Sequence, residues 1–329
     1  MAGKLYLFGA ALIWGVAFVA QQVGMEHVGP FTFNAVRNLI GALVLVPCIF
    51  LIKRLQGGRD ADGSEGAADG AVGSAAGGSG MAESTALGSA SGRSPSGGSA
   101  TPATRQESDR RQLLRAGLVT GTFLAIAGNL QQVGIKYTTV GKAGFITAMY
   151  IVLVPLVGIF LKRKAGWKIW VSVALSVVGL YLLSMKPGDF TLGMGDLYVL
   201  LAAAAFAFQI TAVDYYAARV DNLWLACMEF LVCGLITLVL MLLFEHPTLS
   251  GILAAKWPIL YAGVLSCGVA YTFQILGQRR TDPAVASLIM SLEAVISALA
   301  GWLLLGQSMS GREIFGCVIM FAAILLAQL

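Results

Sequence analysis

A carboxylate stands near the middle of SLIMSLEAVISALAGWLLL, residues 287–305, an apolar run long enough to cross most of a bilayer. Counted from the start of its run near residue 284, Glu293 lies about 14 Å deep at 1.5 Å per residue, close to the midplane of a hydrocarbon core of roughly 30 Å. Its side chain is too short to reach either interface, so something inside the protein must compensate it. The open readings are a cationic group of a solute, a coupling proton, or a protonated carboxyl bonded to a neighbouring helix, with Tyr150 as a candidate donor.

Other polar side chains fall inside apolar runs, where facing lipid would cost several kcal/mol, so they face a bundle interior or a cavity. Arg37 sits six residues into its run, about 9 Å from one edge, and either snorkels, pairs structurally or serves a site. Glu229 is expected at a similar distance from the opposite edge, too far in depth for an easy pair with Arg37. Asn129, Gln131 and Gln132 lie toward one end of their run, and Gln274 and Gln278 toward the opposite face. These amides either hold neighbouring helices together or offer donors and acceptors at the mouths of a cavity. Gln209 and Asp214 read as interfacial, and Trp14 as a core aromatic that could also line a solute path.

Enzyme chemistry has little to work with. The two histidines, His27 and His246, belong near opposite faces of the membrane, and there is no HExxH. The GKAG at 141–144 lacks the preceding glycine and following Ser/Thr of a phosphate loop. No carboxylate cluster or Cys/His spacing suggests a metal, and no cofactor is expected. The five cysteines all fall in apolar stretches without CxxC spacing and read as small core residues.

The elements that must position these residues are membrane helices. Hydrophobic residues make up 57% of the 329, charged residues 12%, and mean hydropathy is +0.78, well outside the soluble range. Ten apolar runs are expected to span, near 4–24, 31–53, 113–134, 141–161, 167–185, 194–213, 222–243, 257–278, 284–305 and 311–328. The first is longer than a signal-peptide core, lacks a clear cleavage site and precedes nine similar runs, so it is read as retained. Residues 57–109, dominated by Gly, Ala and Ser with no aromatic, are expected to be a disordered cytoplasmic linker.

Most basic residues flank the ends that share a side with the N-terminus, among them Lys53, Arg54, Arg110, Arg111, Arg115, Lys162, Arg163, Lys164, Lys168, Arg279 and Arg280. By the positive-inside rule both termini are cytoplasmic, in a plasma or inner membrane. The basic pI of about 9.0 is accounted for by orientation, and no nucleic-acid partner is expected. The oligomeric state is left open, since ten helices suffice to enclose a cavity in one chain.

Residues 130–161 align without a gap on 273–304, matching Gln131 with Gln274, Gly134 with Gly277, Thr138 with Thr281 and Gly158 with Gly301, and setting Tyr150 opposite Glu293. A weaker echo sets LYLFGAALIW from Leu5 against LYVLLAAAAF from Leu197. Five spans in each copy reverse the second relative to the first. The expected architecture is therefore an all-α integral membrane protein of ten transmembrane helices in two inverted five-helix repeats. The first repeat comprises 1–56 and 110–186 around the linker, and the second 194–329. Gly117 and Gly121, at GxxxG spacing, are expected to bring helices into close contact.

The stretches GAALIWGVAFVAQQVGMEHVGPFTFNAVRNLIGALVLVP, GNLQQVGIKYTTVGKAGFITAMYIVLVPLVGIFL and TDPAVASLIMSLEAVISALAGWLLLGQ resemble the EamA family of the drug/metabolite transporter superfamily. The resemblance covers nearly the whole chain apart from the linker. Where that family often reads LEPV and then GWLLLGE, this chain has Ala294 for the proline and Gln307 for the later acid. The resemblance implies a carrier or exporter of small solutes, amino acids and their analogues among them, with the lipid bilayer as its surroundings. A non-transporting receptor or scaffold, or an intramembrane enzyme, is the alternative, separated from a carrier by solute flux.

Overall fold

The computed structural model describes residues 2–68, 102–138, 140–163, 165–184, 193–305 and 310–327, and among these every regular element is helical. The first half contains α1 (Ala2–Gly24), α2 (Pro30–Ala68), α3 (Pro102–Tyr137), α4 (Val140–Thr147), α5 (Tyr150–Phe160) and α6 (Trp167–Ser184). The second contains α7 (Met194–Ala217), α8 (Asn222–Phe244), the short α9 (Leu249–Ala254) and α10 (Lys256–Leu260), and a π-helical stretch Tyr261–Ala270 continued by α11 (Tyr271–Gln278). It ends with α12 (Pro283–Met290), α13 (Leu292–Leu305) and α14 (Gly311–Leu326).

Among the described residues, eight helical stretches are long and apolar enough to cross a membrane: 2–24, 30–50, 109–137, 143–160, 194–217, 222–244, 256–278 and 283–300. The remaining apolar helices, α6 and α14, are shorter and pack closely on each other. A Cβ at Gly179 would lie 2.6 Å from Met320 Cγ. Large apolar side chains such as Leu5, Leu43, Phe160 and Leu242 stand exposed on the outside, where a soluble protein would place polar groups. With backbone bonding satisfied within helices, the outer surface is suited to lipid.

Part of the expected linker is helical. Residues 57–68 continue α2 and 102–109 open α3, since extending a nucleated helix costs less than starting one. Residues 69–101 of that segment lie outside the described residues.

Helix ends are fixed by side chains the sequence supplies locally. Asp221 accepts from the backbone N–H groups of Leu223 and Trp224 at the start of α8. Asp282 accepts from Ala284 N–H just before Pro283 opens α12. Ser310 and Glu313 form a reciprocal capping box on α14. The start of α2 is capped from a distance: the Glu245 carboxylate, at the far end of α8, accepts from Phe31 N–H at 2.9 Å and Thr32 N–H at 2.8 Å.

Two of the crossings are broken. α4 stops at Thr147 and α5 starts at Tyr150, while α12 stops at Met290 and α13 starts at Leu292. The breaks fall at matching places in the gapless alignment, where 147 pairs with 290 and 150 with 293. The second break forms without the family's proline. Ser287 Oγ and Ser291 Oγ each donate to a carbonyl three residues back, Ala284 and Leu288, both at 2.8 Å. The Ala294 N–H then bonds the Ser291 carbonyl at 3.1 Å, three residues back rather than four. Such back-bonding competes with the helical ladder and bends it.

Close approaches are made by glycine. A Cβ at Gly134 of α3 would meet Val199 Cγ2 at 2.5 Å and Gly195 O at 2.9 Å. One at Gly277 of α11 would meet Leu7 Cγ at 2.6 Å and Gly3 O at 2.9 Å. Gly195 and Val199 align with Gly3 and Leu7, so the two contacts are equivalents. Gly117 and Gly121 seat α3 on α8, against Met228 and Val232.

Candidate functional site

The two breaks bring their first new turns together. Tyr150 and Glu293 meet with Tyr150 OH donating to Glu293 Oε1 at 3.0 Å, and both side chains are buried. They form part of the wall of a partly open cavity whose space not filled by atoms, open solvent included, is about 550 Å³. The wall also includes Trp14, Arg37, Gln131, Phe206, Gln209, Tyr271 and Gln274.

Each wall residue is placed by an identifiable element. Trp14 comes from α1, where Gly15 lets α13 approach: a Cβ there would lie 2.5 Å from Ile296 and 2.9 Å from the Glu293 carbonyl. Tyr271 opens α11 after the π-helical stretch and packs edge-on against Trp14, with ring centroids 4.7 Å apart. π-Helical turns often accompany functional sites because they re-aim side chains. Gln131 Nε2 donates to Thr147 Oγ1 at 3.1 Å, tying α3 to the last residue before the first break. Gln274 Nε2 donates to Gln209 Oε1 at 3.3 Å, and Gln209 Nε2 donates to Glu229 Oε1 at 2.6 Å.

Six side chains singled out from sequence therefore share one cavity: Glu293, Tyr150, Arg37, Gln131, Gln274 and Trp14. Glu229, Asn129, Gln132 and Gln278 are not on its wall. Glu229 is wholly buried behind Gln209. Asn129 belongs to a helix-joining network, donating to Ala125 O and Thr237 Oγ1, each at 2.8 Å, and accepting from Asn34 Nδ2 at 3.2 Å. Arg37 and Glu229 form no ion pair among the described residues.

Sequence reasoning placed Gln209 at the interface, but it is buried on the cavity wall. Thr147, Phe206 and Met290 also line the cavity and were missed. The internal alignment held a signal for Phe206, the counterpart of Trp14, but not for Thr147 and Met290, which pair with each other and of which neither was singled out. Four matched pairs, Trp14 with Phe206, Gln131 with Gln274, Thr147 with Met290 and Tyr150 with Glu293, thus face the same space.

The wall is amphipathic. Aromatic faces supply apolar contact, while Trp14 Nε1, Gln21 Oε1, Arg37 Nε and Gln274 Oε1 are buried without a hydrogen-bond partner among the described residues. Buried polar atoms are normally satisfied, so these four on the wall, beside its aromatic faces, suit a small amphipathic solute. Among the described residues no group of three or more His, Cys, Asp or Glu side chains could hold a metal.

Fold and site define a multi-pass helical membrane protein with an amphipathic internal cavity. The chain matches the EamA-like transporter family over residues 1–81, 99–185 and 193–329, and it belongs to that family. An uncharacterized transporter of Archaeoglobus fulgidus is 26% identical over 325 residues, covering 97% of this chain and 83% of its own length. The uncharacterized transporter YoaV of Bacillus subtilis is 20% identical over 97% of this chain and 94% of its own. The uncharacterized inner membrane transporter YedA of Escherichia coli K12 is 25% identical over 65% of this chain and 71% of its own. A solved crystal structure shares the fold with a TM-score of 0.66 at 18% identity, covering 99% of this chain and 96% of that one. These relatives support a transporter role rather than an enzymatic one.

Proposed function

We propose that the chain is a secondary exporter of small metabolites, such as amino acids or related solutes, working by alternating access. In this reading its two halves, residues 1–56 with 110–186 and residues 194–329, are inverted five-helix repeats, ten helices in all. Both termini and the 57–109 segment are cytoplasmic. The observation that carries the reading is the cavity wall: four pairs of alignment-matched residues, one from each half, face a single space. Carriers built from repeats hold solute and coupling ion near the bilayer midplane, where discontinuous helices meet. The breaks at Tyr150 and Glu293 fit that description.

In this mechanism Glu293 binds a cationic group of the solute or carries a coupling proton, and Tyr150 positions its carboxyl. The amides of Gln131, Gln209 and Gln274 orient the solute, and the aromatic rings exclude water around it. A strain lacking the protein should accumulate the exported solute inside the cell relative to the complemented strain. An unchanged pool across a broad metabolite panel would contradict export.

A further inference from the structure

Among the described residues, nothing neutralises one cation on the cavity wall. Arg37 is only 8% exposed. It makes no hydrogen bond or ion pair among the described residues, and its Nε is buried without a partner. Its guanidinium carbon stands 5.8 Å from the centroid of the Phe33 ring. On another side Gly128 keeps the space narrow but open, since a Cβ built there would stand 3.8 Å from Nη2. The two buried acids of the region take donors of their own, Glu293 from Tyr150 and Glu229 from Gln209.

An arginine does not escape this position by losing its proton. A buried charge without a partner costs several kcal/mol, and an intramembrane one is retained where function requires it. An anion entering from the cavity would supply the partner. Arg37 is the only basic residue among the described residues lining it, so their charge is a single positive one in a planar fork. That geometry matches one carboxylate, held bidentately. A phosphate dianion would want a second cation.

We propose that Arg37 is the anion subsite of the cavity and that the solutes it takes carry a carboxylate. The inference rests on the transporter reading above and narrows its substrate class. The group opposite the carboxylate meets the aromatic rings, the amides and Glu293.

Binding to the purified full-length chain tests it by calorimetry, with three probes on one phenylalkyl skeleton chosen to suit Trp14, Phe18, Phe206 and Tyr271. These are 3-phenylpropanoate, 3-phenylpropanamide and 2-phenylethylphosphonate. The carboxylate should bind about tenfold or more tighter than the amide, the scale of one charge-assisted pair. Arg37→Gln should abolish that preference and Arg37→Lys should keep part of it. Equal affinity for acid and amide, tighter binding of the phosphonate, no binding of any probe, or a preference that survives in Arg37→Gln would each overturn the subsite. The acid-to-amide comparison uses the unaltered chain, so it stands even where a variant fails to fold. Carboxylate preference without flux of any solute in proteoliposomes would count against the transporter reading. Flux without the preference would count against the subsite alone.

Discussion

Tyr150 and Glu293 hold the central polar contact, and each is legible from the other. The depth of Glu293 in its run marked it as a residue that must be compensated, and the repeat set Tyr150 opposite it in the alignment. Their hydrogen bond at 3.0 Å joins two turns 143 positions apart in the chain. Removing the donor isolates its share. Tyr150→Phe keeps the ring and leaves Glu293 Oε1 without this bond, so the chain should fold and solute affinity should weaken about tenfold, the worth of one bond to a carboxyl. Half-saturation of flux measures it, and an unchanged value would reduce the Tyr150 hydroxyl to a structural role. Gln209 was not legible in the same way. An amide one turn from the end of its apolar run looks interfacial, but α7 continues about two turns beyond Gln209 to Ala217, and Gln209 is held between Gln274 and Glu229.

Among the elements, apolar run lengths predicted where helices lie but not where they break. The proline that would announce the second break is absent, and Ser287 and Ser291 produce the bend by bonding carbonyls behind them. Serine is common in membrane helices, so its presence alone does not mark a break. The glycine contacts were more readable, because Gly134 and Gly277 coincide in the gapless alignment and each admits a neighbouring helix. Substituting either with alanine should destabilise the protein by about 1–3 kcal/mol through overpacking, lowering the melting temperature in detergent. Gly144→Ala is the control: it sits in α4 with nothing within 4 Å of the added Cβ, so it should be neutral or slightly stabilising. Equal melting temperatures for Gly277→Ala and Gly144→Ala would contradict the close packing of α11 on α1.

For the whole molecule, composition alone identified a membrane protein, and basic residues at run ends predicted which way it faces. The cavity was not visible in composition, because it is made by side chains from both halves that meet only when the chain is folded. Reporter fusions at the C-terminus and within 57–109 should both report from the cytoplasm, and an extracellular signal from either would contradict the proposed inverted arrangement. The claim that this cavity is the solute path is tested most directly at Glu293. Glu293→Gln keeps shape and hydrogen bonding but removes titration and charge. Flux of the exported solute into proteoliposomes should therefore collapse or lose its dependence on pH, with the variant eluting and melting like the unaltered protein. Full flux with an unaltered pH profile in Glu293→Gln would contradict the account and leave Glu293 a structural residue.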